Sequence, residues 1–162
     1  MLTTARLLLT PVTRLDLDDL IAHWTSPDVR RYLFDGEVLT EDEVARAIAE
    51  SERDFAASGY GLWVIRARSG ADGLVGVVGL RQLEDVGPEL VYSLSPGSWG
   101  HGFAREAAAA VLEHARGPAG VPVVFAEVDE GNAASRAIVE RLGMVEFERV
   151  PGVLGELVRY RG

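Results

Sequence analysis

The segment best suited to binding chemistry is a glycine-rich loop that follows a strand-like run and precedes a predicted helix. It reads Leu94-Ser-Pro-Gly-Ser-Trp-Gly-His-Gly-Phe-Ala-Arg-Glu106. Glycine permits positive φ and a close approach of the backbone to a ligand. The first amides of a helix have no partner within the helix and lie at the positive end of its dipole. The loop therefore predicts an anion site, most often for phosphate; a plain strand-to-helix turn is the alternative.

Two common phosphate ligands are excluded by the residues that this loop lacks. No Gly-Lys-Ser/Thr follows it, so the lysine and the magnesium-binding hydroxyl of a Walker-type loop are missing. The spacing Gly97-x-x-Gly100-x-Gly102 differs from the G-x-G-x-x-G of dinucleotide folds, and the helix after the next strand brings no well-placed acid for a ribose. A phosphate-bearing carrier that needs no metal remains, and a diphosphate such as coenzyme A (CoA) fits.

The elements that must position this loop follow an order typical of an α+β protein. Periodicity and turn residues predict strands over residues 6–11, 61–66, 74–83, 89–94, 123–128, 144–150 and 155–160. Helices are predicted over residues 13–24, 40–58, 104–115 and 132–142, the second beginning with a Thr40-x-x-Glu43 capping box. A turn is expected at residues 86–88. Antiparallel strands thus come first, and a βαβαβ-like half follows.

Composition narrows the class of protein. The 162 residues predict a single domain, residues 1–162. The net charge of −9 argues against nucleic acid and against an anionic membrane surface as partners. Without cysteine there is no disulfide, thiolate nucleophile or Cys-ligated zinc, and the three histidines lack partners at metal-ligand spacing, so no metal site is expected. No apolar run reaches the ~18 residues that span a bilayer, and we expect a cytoplasmic protein.

Two motifs at a fixed separation resemble those of the GNAT N-acetyltransferases. Trp99-Gly-His-Gly-Phe-Ala104 is similar to the family's pyrophosphate loop, Q/R-x-x-G-x-G/A, with Trp99 in the Q/R position. Asn132-Ala-Ala-Ser135, followed by Leu142-Gly-Met144, is similar to the family's N-x-x-S…LGF. Together with Arg6-Leu-Leu-Leu-Thr-Pro11 upstream, the loop resembles the RimJ/RimL branch, the ribosomal-protein alanine N-acetyltransferases. The resemblance implies a GNAT fold: a mixed α/β chain with a mostly antiparallel sheet of six to seven strands, splayed at the fourth, and flanking helices.

The same resemblance implies a site for acetyl-CoA along the splayed strand and the loop. Pantetheine is expected to pair with the exposed backbone of the fourth strand, as a missing strand would. The diphosphate would lie on the amides of the loop. The implied cofactor-binding residues are Tyr92, Leu94, Trp99, Gly100, His101, Gly102, Phe103, Ala104, Arg105, Asn132 and Ser135. A solvated side chain is the alternative for His101, and a helix cap is the alternative for Asn132.

The implied reaction is the attack of a neutral amine on a thioester. Glu89, beside the expected amine site, is the candidate base; a solvated carboxylate after the turn is the alternative, and a water chain could serve instead. In many family members a tyrosine four residues after the Ser135 position protonates the departing thiolate. Val139 stands there in this chain. Ser135, or an ordered water, is therefore expected to take over that step.

The acceptor pocket is expected between residues 28–38 and the strand of Tyr92, with Tyr32, Phe34 and Asp35 as candidate lining residues. The implied acceptor is the N-terminal amine of a protein or peptide, or a small amine. A non-catalytic acyl-CoA-binding or regulatory module of the same fold is the alternative from another class. The length of the acyl chain is left open, and a homodimer is compatible with the sequence.

Overall fold

A computed structural model describes residues 1–31, 33–71 and 73–162, and its centre is one sheet of eight strands. The strands are β1 (Leu2–Thr3), β2 (Leu7–Pro11), β3 (Leu62–Ala67), β4 (Gly76–Leu83), β5 (Gly87–Leu94), β6 (Phe125–Asp129), β7 (Val145–Gly152) and β8 (Gly155–Arg161). The α-helices are α1 (Leu17–Thr25), α2 (Pro27–Arg30), α3 (Glu41–Ser58), α4 (Phe103–Arg116) and α5 (Ala133–Arg141). Among the described residues, no helix has the length and apolar character needed to cross a membrane.

The sheet is split between β5 and β6. The strand order is β1-β2-β3-β4-β5-β6-β8-β7, and every neighbouring pair is antiparallel except β5 and β6. These two strands run parallel and share one register pair, Glu89 with Phe125, and no further pair joins them in the described chain. The mostly antiparallel sheet that opens at the fourth predicted strand is therefore confirmed. The two-residue β1, too short to leave a periodic signal, raises the strand count from the expected six or seven to eight.

Helices pack on both faces of the sheet because the side chains of its strands alternate. Ile65 and Val78 point to a core that α4 and α5 cover, whereas Val64 and Val77 point to a second core under α1 and α3. The predicted apolar face of α4 is buried in the first core; its residues are Ala104, Ala107, Ala108, Val111, Leu112 and Ala115. The sheet is thus held from both sides while its β5–β6 gap stays open.

The ends of α3 lie where its capping residues predict them. The Thr40 hydroxyl accepts a hydrogen bond from the Glu43 amide at 3.2 Å, and the Glu43 carboxylate accepts one from the Thr40 amide at 3.3 Å. The helix ends at Gly59, whose φ of +75° lies in the left-handed region that favours glycine. Local sequence signals therefore determine where α3, which lies beside β5, begins and ends.

The turn before β5 lies at residues 84–86, and the expectation of a turn at residues 86–88 is wrong. β5 begins at Gly87, and Pro88 pairs with Gln82 of β4. A Gly-Pro pair is typical of a turn, but antiparallel pairing with β4 continues through both residues. Glu89 is therefore the third residue of a strand rather than the first residue after a loop.

Candidate active site at the split of the sheet

The loop between β5 and α4 presents helix amides that no side chain caps. After a 3-10 turn at Pro96–Ser98, the chain passes through Gly100 and Gly102, both with φ of +78°. Gly102 is the N-cap of α4 and therefore has no side chain to accept from the first amides of the helix. A Cβ at Gly100 would meet nothing within 4 Å, so the positive φ rather than lack of space favours glycine there. This geometry suits the anion site that the sequence predicts.

Arg6 and Glu106 tie this loop to the start of β2. Glu106, in the first turn of α4, accepts hydrogen bonds from the Thr4 hydroxyl at 2.5 Å and from Arg6 Nε at 2.7 Å. Arg6 Nη1 also donates to the carbonyl of His101 at 2.8 Å, and its guanidinium lies 4.6 Å from the centre of the Phe103 ring. Burial raises the pKa of Glu106, but the hydrogen bonds from Thr4 and Arg6 outweigh it and lower that pKa. Sequence reasoning did not anticipate these contacts, which join residues about 100 positions apart.

The remaining residues of the loop stabilise its shape. Trp99 Nε1 donates to the carbonyl of Leu94 at 3.0 Å, although half of the Trp99 side chain is exposed. The His101 ring stacks on Phe103 at 5.4 Å, and its Nδ1 lies 2.8 Å from the carbonyl of Trp99. Ala104 is buried in the core, so only its backbone can meet a ligand, while Arg105 is exposed.

Tyr92, near the end of β5, reaches across the split to α5. Its hydroxyl lies 2.6 Å from Ser135 Oγ and 3.2 Å from the Ser135 carbonyl oxygen. Burial raises the pKa of Tyr92 to about 12, so the hydroxyl keeps its proton at neutral pH. The structure therefore brings two predicted site residues, Tyr92 and Ser135, into direct contact. No sequence signal indicates this pair, because the resemblance implies a role only for the backbone of Tyr92.

The start of α5 places Ser135 at this contact. The Asn132 side chain accepts from the Ser135 amide at 3.2 Å, so Asn132 serves as the N-cap of α5. Val139, one turn after Ser135, is fully buried in the core. The Val139 position thus packs in the core, while the hydroxyl beside Ser135 comes from β5.

Glu89 lies on the opposite face of β5 from Tyr92, as strand alternation requires. The residue is 2% exposed, and Arg81 Nε donates to Glu89 Oε2 at 2.8 Å. Burial raises the pKa of Glu89, and the neighbouring Arg81 opposes that rise. The interpretation of Glu89 as a solvated carboxylate is wrong, because β5 begins two residues earlier than the turn residues suggest.

On the Glu89 face, a cavity of about 380 Å³ lies between α3, the loop after α2 and strands β3–β5. Its apolar lining residues are Trp24, Leu33, Phe34, Leu39, Ala47, Leu62, Val77, Leu80 and Val91. Its polar lining residues are Glu43, Arg46, Glu50, Ser51, Asp54, Arg81, Tyr92 and Ser93. Of the three candidate acceptor residues, Phe34 lines this cavity, Asp35 follows it directly in the chain, and Tyr32 lies outside the described residues.

His23 of α1 connects this cavity to the glycine loop. Its Nε2 lies 2.9 Å from the hydroxyl of Ser93, which lines the cavity, and its Nδ1 lies 3.3 Å from the hydroxyl of Ser95, which starts the loop. Burial lowers the pKa of His23 to about 4, so the ring is neutral at pH 7. Over residues 1–31, 33–71 and 73–162, no group of three or more His, Asp or Glu side chains is placed to hold a metal ion.

Solved structures share this architecture over nearly the whole chain. An acetyltransferase from Agrobacterium tumefaciens is 24% identical, with 99% of this chain and 92% of that chain covered and a TM-score of 0.84. A ribosomal-protein-alanine N-acetyltransferase from Brucella melitensis is 22% identical over 96% of this chain and 98% of its own, with a TM-score of 0.79. The spermidine N-acetyltransferase from Vibrio cholerae, in complex with CoA and spermine, is 18% identical over 96% and 94%, with a TM-score of 0.78. At these identities the likeness establishes the fold.

The family is established by the sequence itself. The model of the Acetyltransferase (GNAT) domain family matches residues 6–145, which include the glycine loop, the split strands and the start of α5. The chain therefore belongs to the GNAT acetyltransferase family and is an acetyl-CoA-dependent N-acetyltransferase.

Proposed function

We propose that residues 1–162 form one catalytic domain that transfers an acetyl group from acetyl-CoA to a primary amine by direct attack in a ternary complex. The acceptor is an N-terminal amine of a protein or peptide, as in the RimJ/RimL branch, or a small amine. The observation that carries the proposal is the split between β5 and β6, which runs directly into the uncapped start of α4. A cytoplasmic location and a homodimer remain predictions of the same proposal.

The donor half of the site is built from backbone groups. The edge of β5 at residues 92–94 faces the split, so its amides and carbonyls can pair with the amides of a pantetheine arm. Residues 99–105 offer the first amides of α4 and the glycine backbone to a diphosphate, without lysine or metal. Asn132 and Ser135 stand at the far side of the split. Bound acetyl-CoA supplies a thioester, whose carbonyl carbon is the electrophile.

Glu89 is the candidate base on the acceptor side. An α-amine, with a pKa of about 7.7–8.0, gives up its proton more readily than a lysine-like amine of about 10.4, so a carboxylate or a water chain suffices. Glu89 is paired with Arg81, and Arg81 lines the cavity. A proton can therefore leave an amine in the cavity and reach Glu89 directly or through water.

Ser135 is the candidate proton donor to the leaving sulfur. As the amine nitrogen bonds to the acetyl carbon, the carbon–sulfur bond breaks and the sulfur takes up a proton. The Tyr92 hydroxyl, 2.6 Å from Ser135 Oγ, can donate to that oxygen and leave the Ser135 proton free to point at the sulfur. Ser135 then regains a proton from water.

The test is release of the free CoA thiol from acetyl-CoA across a panel of amines that includes peptides, polyamines and amino acids. Thiol release that depends on an amine, with the acetylated product identified by mass spectrometry, is the expected result. Thermal stabilisation by CoA without thiol release over the whole panel would favour the non-catalytic binding module instead.

A further inference from the structure

Asp129, the last residue of β6, carries a buried carboxylate oxygen that nothing satisfies. The residue is 6% exposed, and its Oδ1 has no hydrogen-bond partner among residues 1–31, 33–71 and 73–162. A native structure rarely leaves a buried charged group in this state unless a ligand or ion completes its environment. By strand alternation, Asp129 shares the face of Glu127 and Phe125, and Phe125 is the register partner of Glu89. The unsatisfied oxygen therefore lies on the acceptor side of the sheet.

A second carboxylate, Asp35, contributes through its negative charge to the raised pKa of Asp129, and it lies in a strained loop. Phe34 and Asp35 both adopt positive φ, +55° and +53°, which side chains other than glycine rarely do. Arg30 Nη1 donates to the carbonyl of Gly36 at 2.6 Å, and the Phe34 ring packs edge-on against Trp24 at 5.5 Å, so the loop is fixed at both ends. Strained backbone of this kind concentrates at ligand sites.

Asp35 and Asp129 have no cationic partner among the described residues, whereas Glu127, on the same face as Asp129, has one. Burial, followed by the negative charges of Asp35 and Glu127, raises the pKa of Asp129. Glu127 is paired with Arg159 at 2.7 Å. Within the described part of the chain, neither Asp35 nor Asp129 has a salt-bridge partner within 4 Å. A positive ligand group would satisfy the orphan oxygen and neutralise the repulsion in one step.

We propose that Asp35 and Asp129 bind a positively charged group of the acceptor, distinct from the amine that is acetylated. This inference rests on the proposed function. A pair of carboxylates stabilises the protonated form of an ammonium group and raises its pKa, whereas the attacking amine must be neutral. The anchored cation is therefore a second one. The acceptor class is then a primary amine that carries an additional cationic group, such as a diamine or a peptide with a basic side chain near its N-terminus.

The cavity extends from β5 to Phe34, the residue that precedes Asp35 in the chain. It is lined by Val91, Tyr92 and Ser93 of β5 at the split and by Phe34 next to Asp35. Nine of its lining residues are apolar and suit a hydrocarbon linker, and charged side chains of α3 together with Arg81 stand among them. The reacting amine would lie near β5, and the second cation would lie against Asp35 and Asp129.

Matched acceptors test the inference. Initial rates are measured with 1,4-diaminobutane against butylamine, and with an Ala-Arg dipeptide amide against Ala-Ala amide. The wild-type enzyme should prefer the cation-bearing member of one pair by about 10-fold or more in kcat/KM, and the pair that responds identifies the source of the cation. In Asp129→Asn and in Asp35→Asn this preference should disappear through KM. Glu148→Gln, which removes an exposed carboxylate paired with Arg159, should keep the preference.

Two measurements keep the inference separate from the proposed function. Calorimetry of the diamine and the Ala-Arg amide against the CoA-bound protein requires no turnover, and Asp129→Asn should weaken the binding about 10-fold. Without acceptor, Asp129→Asn should unfold at a temperature equal to or above that of the wild type, because it removes an uncompensated buried charge. Absence of a preference for a second cation, or a preference that survives both variants, would overturn the inference while acetyl transfer itself stands. Loss of CoA binding in the wild type would refute the proposed function instead.

Discussion

The two halves of the proposed active site use opposite chemistry on either side of one strand. The donor half consists of backbone amides along β5 and at the start of α4, shaped by glycines at positive φ. The acceptor half consists of side chains that meet from α3, the loop after α2, β5 and β6, and it holds several buried or half-buried carboxylates. Backbone groups suit a co-substrate that is always the same. Side chains can be exchanged one at a time, which suits an acceptor that differs between members of one fold.

The two halves also differ in whether their carboxylates have hydrogen-bond partners. On the donor side, Glu106 accepts from Thr4 and Arg6, so its charge is fully paired. On the acceptor side, Asp129 Oδ1 is unsatisfied in the described chain, and the pKa of Asp129 is raised. Glu106 is thus satisfied within the fold, whereas the unsatisfied oxygen of Asp129 is the one that we propose for a ligand.

The largest effect is expected from Gly102→Asp, which places a negative charge at the predicted diphosphate site. Two charges about 4 Å apart interact by about 4 kcal/mol at a protein surface, so CoA affinity should fall by roughly 1000-fold. Arg6 lies 3.6 Å from the position of the new Cβ, but it is already paired with Glu106. The measurement is the dissociation constant of CoA by calorimetry.

Gly70→Asp is the matched control for this variant. Gly70 has φ of +76°, nearly the same as Gly102, and a Cβ there would meet no atom of the described residues within 4 Å. Both variants therefore carry the same backbone strain and the same charge, but only one stands in the loop. If Gly102→Asp binds CoA as tightly as Gly70→Asp does, the assignment of the loop to the diphosphate is wrong.

The next effect concerns His23, which joins the two halves through Ser93 and Ser95. Its pKa is lowered from 6.5 to about 4 by burial, so the unfolded chain binds a proton in this range and the folded chain does not. Stability is then full above pH 6.5 and is lost as the pH falls towards 4, by about 3 kcal/mol for this group. Denaturant unfolding of the wild type and of His23→Gln between pH 4 and 7 measures the difference.

His114→Gln controls for the loss of a histidine outside this contact. The difference in unfolding free energy between wild type and His23→Gln should shrink as the pH falls. The same measurement on His114→Gln shows what the loss of a histidine that contacts neither Ser93 nor Ser95 does to stability. Parallel acid profiles for wild type and His23→Gln would mean that His23 does not couple proton uptake to unfolding.

Local features of the structure could be predicted from the sequence alone. The glycine loop, the capping box at Thr40, the N-cap at Asn132 and the buried face of α4 are local signals, and each is found where it was expected. The residues that cause each of these features lie close together in the sequence, so a short segment is enough to predict the feature.

Contacts between distant segments left no such signal. The Tyr92–Ser135 contact, the effect of the Asp35 charge on the pKa of Asp129 and the hydrogen bonds of Arg6 link segments that only the fold brings together. The burial of Glu89 was missed for a related reason: Gly87-Pro88 has the composition of a turn, and only pairing with β4 makes it strand. The roles assigned to these residues in catalysis remain predictions.

Glu89→Gln tests the acceptor side directly. A general base contributes on the order of 100-fold or more, so turnover at neutral pH should fall about that much. At high pH the acceptor loses its proton unaided, and the deficit should narrow. The pH dependence of kcat/KM for wild type and variant measures both effects. An acceptor of low amine pKa, already neutral at pH 7, is the matched control and should be nearly insensitive to the substitution; a uniform loss for all acceptors would discount Glu89 as the base.

The smallest effect is expected where the two halves meet, at Tyr92 and Ser135. In Tyr92→Phe the Ser135 hydroxyl loses the partner that leaves its proton free for the sulfur, so it turns to other acceptors. A hydrogen bond to a charged group contributes about 1.5–3 kcal/mol, and partial loss of that bond to the CoA thiolate corresponds to roughly 10-fold. The measurement needs no turnover. Desulfo-CoA lacks the thiol, so the ratio of CoA affinity to desulfo-CoA affinity reports the contribution of the sulfur to binding, and this ratio is measured from pH 6 to 9.5. The wild-type ratio should rise with pH as the thiol ionises, and Tyr92→Phe should flatten that rise.

Tyr160→Phe is the control for this last change, because it removes a tyrosine hydroxyl that contacts Arg136 and Glu140 instead of Ser135. It should leave the pH dependence of the ratio unchanged. Desulfo-CoA lacks the thiol, so its affinity should be the same in all three proteins if the backbone of β5 and the loop hold the rest of the molecule. A ratio that rises equally in wild type and Tyr92→Phe would show that Ser135 acts without Tyr92. The split in the sheet would then divide the two halves completely, with no side chain of β5 acting on the sulfur.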